Sequence, residues 1–156
     1  MRDLLHILLR RSRHLAIAAA LAITASAAIA TELDEPLVVI VNPESGVDAM
    51  TRSEVASVFM ARDRKLAPGV TAIPLDVAGA AKEREQFYAS LVGKTVPEVN
   101  AYWARLLFTG RATPPQQVDE SADVIATVAA NKSAIGYVPK SKVDHRVRVV
   151  LELAAR

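Results

Sequence analysis

The chain has 156 residues, no cysteine, 19 Lys and Arg against 17 Asp and Glu, and only 4% aromatic residues. That length suits one compact domain with its own core and is short of two full lobes. Without cysteine there are no disulfides, no thiol nucleophile, no cysteine-bound zinc and no lipid anchored through cysteine.

Residues 1–30 read as an address rather than as part of a fold. Arg2, Arg10, Arg11 and Arg13 form a positive region, Leu15 to Ile23 is an uninterrupted apolar run, and Ala28-Ile29-Ala30 has the small-x-small form that a signal peptidase cleaves. The apolar stretch from Leu15 to Ala30 is shorter than the roughly 20 residues that span a bilayer, so a cleaved signal is expected, with membrane contact only through this segment if it stays uncleaved. Arg10-Arg11 echoes a twin-arginine signal, but Arg13 and His14 stand where that signal prefers apolar residues. The expected location is the periplasm or the exterior. Without this segment the basic and acidic counts become 15 and 16, a formal charge of −1. The remaining chain, 31–156, then lacks the clustered basic face that nucleic-acid binding requires.

Leu37 to Val41 is a continuous apolar run ending at Asn42-Pro43 and Ser45-Gly46, as for a buried strand and a turn. Thr51 with Glu54 three residues on has the form of a capping box, and Val55, Val58 and Phe59 recur at helical spacing, predicting a helix over 51–60. Arg62 to Gly69 reads as a polar connection, and Val70 to Val77 as a strand in which Pro74 marks an edge or an end. Lys82 to Val92 carries Phe87, Tyr88, Leu91 and Val92 on one helical face and stops at Gly93. Thr95 and Glu98 repeat the capping box, with Val99, Tyr102, Trp103, Leu106 and Leu107 as the apolar stripe and Gly110 as the stop. After the loop Arg111 to Glu120, the Ser121 hydroxyl is placed to cap a helix burying Val124, Ile125 and Val128; strands are expected at Ile135 to Val138 and Val147 to Leu151.

These elements describe an α/β fold in which a mixed sheet of about four or five strands is covered by helices. Tyr102-Trp103-Ala104-Arg105-Leu106-Leu107-Phe108-Thr109-Gly110, then Pro114-Pro115, then Ala134-Ile135-Gly136-Tyr137-Val138, resembles part of the periplasmic phosphate-binding proteins of ABC transporters. Val58-Phe59-Met60-Ala61-Arg62 echoes that family's Ile-Phe-x-Gly-Lys stretch with alanine in place of glycine. The resemblance implies a single lobe of the type II periplasmic-binding-protein-like fold over roughly Leu37 to Val150. It also implies solute binding, with phosphate or a related oxyanion as ligand and an ABC permease as partner.

The ligand chemistry departs from that pattern. In the family the anion rests at a helix start within an Arg-x-x-x-Ser-Gly-Thr arrangement, where free N–H groups and the helix dipole favour negative charge. Here the stretch is Leu75-Asp76-Val77-Ala78-Gly79-Ala80-Ala81-Lys82, with no hydroxyl or arginine before the helix and with Asp76 adding negative charge. The candidate ligand-binding residues are Gly79, Ala80, Ala81, Lys82 and Arg84, together with Ser45, Gly46 and Thr51 on another strand-to-helix connection expected to face the same sheet end. The plainer reading makes Gly79 a turn, Thr51 a cap, and Lys82 and Arg84 a solvated helix face. Tyr102 and Trp103, at helical spacing with Leu106 and Leu107, read as core rather than as a sugar or base platform. His145 is the one histidine beyond residue 30, which leaves no metal site and no His-based dyad; no cofactor and no enzymatic activity are expected. Asp119, Glu120 and Asp123 are explained by a helix start. Two functions follow: an oxyanion-binding component of a phosphate transport system, or a non-transport periplasmic interaction or sensory module that has lost the anion site.

Overall fold

The structure, a computed structural model, describes residues 35–78 and 82–154; the signal segment lies outside the described residues, as do Gly79, Ala80 and Ala81. From Pro36 on, the chain forms one compact unit. Its elements are β1 (Leu37–Val41), α1 (Arg52–Phe59), β2 (Lys65–Ala67), β3 (Val70–Thr71), β4 (Ile73–Val77), α2 (Lys82–Val92), α3 (Val96–Phe108), β5 (Gln116–Val118), α4 (Ser121–Ala130), β6 (Ala134–Pro139) and β7 (Arg148–Leu153). Five strands make the main sheet in the order β5-β4-β6-β1-β7, and β2 with β3 makes a separate hairpin. β4 runs parallel to β5 and β6, whereas β1 runs antiparallel to β6 and β7. The α/β mixed sheet expected from the sequence is present.

Every residue of β1 is buried. Because successive strand residues point to opposite faces, an unbroken apolar run such as Leu37-Val38-Val39-Ile40-Val41 needs cover on both. α2 and α4 provide it. Gly136 of β6 faces α4, where a Cβ would come within 2.3 Å of Val124 Cγ1. The next residue, Tyr137, faces α2, its ring stacked on Phe87 at 3.7 Å and 6°. Phe59 of α1 meets Phe87 edge-on at 4.8 Å. The Gly-Tyr dipeptide thus sets both layers: a missing side chain lets α4 approach, and a large one fills the space under α2.

Helix boundaries follow their caps. The Thr51 and Thr95 side chains accept from the Glu54 and Glu98 backbone N–H groups, and both glutamates reach back, completing the two capping boxes. Gly93 and Gly110 end α2 and α3 at positive φ. Three expectations are corrected. The stretch 62–69 contains β2, and the strand expected from Val70 to Val77 is divided between the hairpin and β4. Pro74 does lie at a strand end, as expected: it is the second residue of β4, and although β4 is an interior strand, its pairing with β5 begins only at Leu75. The Ser121 hydroxyl does not cap α4: the N-cap is Glu120, without a side-chain cap bond.

Gly136→Ala is expected to destabilise the protein by about 1–3 kcal/mol, the usual cost of overpacking a filled core, with part of the loss restored in the Gly136→Ala, Val124→Ala double variant. Urea denaturation of the single and double variants measures this.

Candidate functional site

The parallel strands β4 and β5 end together, and α2 and α4 begin just beyond them. Topological position alone makes this end the place where a ligand would collect. Its chemistry is built around Asp76, only 1% exposed. Asp76 Oδ2 accepts from Arg84 Nε at 2.9 Å and Tyr88 OH at 3.0 Å, and Oδ1 accepts from Tyr137 OH at 2.6 Å. Gln117 Nε2 approaches Oδ2 at 3.4 Å, and Arg84 Nη2 donates to Asn100 Oδ1 at 3.0 Å. Four elements, β4, α2, β6 and β5, therefore converge on one carboxylate.

Burial, then the neighbouring Asp76 charge, pushes both phenols far above the usual tyrosine range. Tyr88 and Tyr137 are accordingly held as donors. Beside this network lies a cavity of about 540 Å³ lined by Asp76, Arg84, Val96, Asn100, Trp103, Pro114 and Gln117. Its one cation and one anion are paired to each other, so it has no net charge with which to concentrate an oxyanion. The Trp103 indole N–H is buried without a partner among the described residues.

A second carboxylate sits where the two helices begin. Glu83, in the first turn of α2, accepts from Ser121 Oγ at 2.5 Å and from Lys142 Nζ at 3.0 Å. Lys142 also reaches Ser121 Oγ at 3.4 Å. A hydroxyl and an ammonium, the donors an oxyanion would use, here hold a side chain of the protein itself. Helix dipoles suit a carboxylate in this position for the same reason that they suit a free anion.

The eight candidate residues do not form one group. β1 is antiparallel to β4, so the connection leaving β1 emerges where β4 begins. Ser45, Gly46 and Thr51 are therefore separated from Lys82 and Arg84 by the length of β4, on the order of 13 Å for five residues. The expectation that both connections face the same sheet end is thus overturned. At their own end these residues make turns and caps. The Ser45 hydroxyl is buried and accepts from Val47 N–H at 3.3 Å, Gly46 takes a positive φ of 78°, and Thr51 caps α1. Neighbouring Asn42 donates to the Val128 and Ala129 carbonyls at 3.1 and 2.8 Å, closing the end of α4.

At the β4 end, Lys82 is exposed, whereas Arg84 is buried and paired with Asp76. Arg84 is not on a solvated face. Helical spacing carried that signal: 84, 87, 88 and 91 share the stripe that includes Phe87, Tyr88 and Leu91. Glu83, Ser121 and Lys142 had no such signal, because they meet only when three distant segments are folded together.

No protein-family model matches the chain, and no curated protein matches it. Among solved structures it is similar to an ABC-type phosphate transport receptor from Vibrio cholerae, at 16% identity and a TM-score of 0.59 over 76% of this chain and 47% of that one. It is similar to a structure from Clostridium perfringens described as a phosphate ABC transporter substrate-binding protein with bound phosphate, at 17% identity and a TM-score of 0.61 over 76% and 45%. PstS from Borrelia burgdorferi aligns at 13% identity and a TM-score of 0.56 over 74% and 46%. The chain spans about half the length of each. These similarities establish a phosphate-binding-protein-like fold with the content of a single lobe, and the neighbours are binding proteins.

Asp76→Ala is expected to cost about 3–5 kcal/mol, because it leaves the Arg84 guanidinium buried without its counter-charge; Asp76→Ala with Arg84→Met should cost less than either alone. Denaturant titration of the three variants checks this. The raised phenols have a pH consequence as well. A folded pKa above the unfolded value of about 10 gives stability that is complete below pH 10 and lost as pH rises beyond it. Phenolate absorbance should show Tyr88 and Tyr137 ionising only together with the loss of circular dichroism.

Proposed function

We propose that this chain is an exported, phosphate-binding-protein-like lobe serving as a non-catalytic interaction or sensory module, its anion-binding end closed by its own carboxylates. The observation that carries the reading is Glu83, whose carboxylate takes the Ser121 hydroxyl and the Lys142 ammonium between the starts of α2 and α4. Asp76 takes Arg84 in the same way. An incoming oxyanion would have to displace an intramolecular carboxylate and then sit close to it. Charge-assisted hydrogen bonds of roughly 1.5–3 kcal/mol each are already made within the protein and give no net gain when exchanged. Export rests on the signal-like residues 1–30, and the module itself on residues 31–156.

A second reading has one observation in its favour. Lys82 is exposed at the first residue of α2, and the Glu83 side chain is 25% exposed, so it has room to swing aside. In that reading phosphate or a related oxyanion displaces Glu83 and is delivered to an ABC permease. Gly79, Ala80 and Ala81 would then supply backbone N–H groups.

Calorimetric titration with phosphate, sulfate and molybdate separates the two. The first reading expects no heat from the wild type at millimolar anion, and weak binding appearing in Glu83→Gln. Micromolar phosphate binding by the wild type, lost in Lys82→Ala or Lys142→Ala, would replace it with the second.

A further inference from the structure

The end of α3 turns its apolar residues outward. Leu107 is 57% exposed and Phe108 94%, although Val96, Val99 and Trp103 of the same helix are buried. The apolar stripe read from the sequence therefore loses Leu107 to the surface. A lone exposed apolar side chain is ordinary, but an adjacent pair at a helix tip is an apolar point that water solvates poorly.

The backbone N–H groups just beyond this point are already satisfied. Thr109 N–H donates to the Arg105 carbonyl at 3.1 Å, Gly110 N–H to Leu107 at 3.1 Å, and Arg111 N–H to Leu106 at 3.0 Å. The Thr109 hydroxyl adds bonds to the Arg105 and Leu106 carbonyls at 2.9 and 3.2 Å. Gly110, at φ 64°, makes this closure possible. Removing the tip from water thus strands none of these N–H groups.

Along the chain on either side of the tip, charge has one sign, although Glu98 lies on the same groove as Arg105. From Val99 to Val118 the chain contains Arg105 and Arg111 and no Asp or Glu. Both arginines are exposed, and Arg64 joins the same loop by donating to the Thr113 carbonyl. Elsewhere, Arg84, Arg146 and Arg148 are taken up in ion pairs.

We propose that the Leu107-Phe108 tip is a docking point for an anionic lipid surface, with the two apolar side chains entering the headgroup region and Arg105 and Arg111 engaging lipid phosphates. The contact is peripheral, and among the described residues no helix is long and apolar enough to cross a membrane. Apolar insertion combined with flanking cations is the chemistry of interfacial binding. A second copy is a poorer occupant, because a two-fold contact through the tips would set arginines against arginines.

The test uses the chain from Thr31, because its compact unit and core lie from Pro36 onward. Omitting residues 1–30 removes an apolar segment that would itself bind lipid. Sedimentation with vesicles of phosphatidylglycerol and phosphatidylcholine should carry the protein down, and phosphatidylcholine alone should not. Phe108→Ser should lower the partition at least about tenfold with unchanged circular dichroism, since the side chain packs against little. Arg105→Gln with Arg111→Gln should lower it similarly, and added salt should weaken wild-type binding. Three results would each overturn the proposal: no sedimentation with anionic vesicles at low salt, binding indifferent to Phe108→Ser, or concentration-dependent self-association abolished by Phe108→Ser, which would make a second copy the occupant.

Discussion

Asp76 and Arg84 form the constraint on which the rest of this structure depends. A carboxylate 1% exposed is tolerable only if nearly every lone pair is used, and here a guanidinium, two phenols and an amide are arranged around it. Those partners come from α2, β6 and β5, so satisfying one charge fixes how α2 lies on the sheet. The same requirement aligns the aromatic packing. Tyr137 cannot hold Asp76 without bringing its ring onto Phe87, and Phe87 in turn meets Phe59 of α1.

That arrangement has a functional consequence. In a fold shared with phosphate-binding proteins, the sheet end where helices begin is a natural receptacle for negative charge. This chain fills it with charge of its own, buried in Asp76 and mostly buried in Glu83. The partners of each carboxylate are donors, which is the composition expected of an anion site, but they are occupied from within. Donor-rich chemistry and a vacant site are separate properties. Only the second permits capture of a solute, and it depends on whether Glu83 can be displaced.

The opposite sheet end shows how residues of similar type serve stability. Asn42, Ser45, Gly46 and Thr51 are small and polar, as a ligand loop would be, yet their bonds close a turn, cap α1 and tie down the last carbonyls of α4. Small polar residues at a strand end satisfy backbone groups as readily as they satisfy ligands. The site-like appearance of Ser45-Gly46 and the interior position of Arg84 are two sides of one ambiguity, since composition does not say which way a side chain points.

Local order was legible from the sequence. Both capping boxes, the glycine stops of α2 and α3 and the buried strand β1 are set by interactions within a few residues, and they lie where periodicity and cap chemistry put them. The likeness to a phosphate-binding-protein lobe was also legible, carried by the run from Tyr102 to Gly110 and by Ile135-Gly136-Tyr137. The short strands β2 and β5 were not, because Lys65-Leu66-Ala67 and Gln116-Gln117-Val118 have no alternating pattern and exist only through their partners. Strand direction was the decisive unknown. Nothing local states that β1 runs against β4, yet that choice separates Ser45, Gly46 and Thr51 from Lys82 and brings Glu83, Ser121 and Lys142 together. The sequence by itself determined the elements and their caps, which depend on neighbours in the chain; the tertiary structure alone decided which charges meet, because pairing across a sheet depends on residues dozens of positions apart.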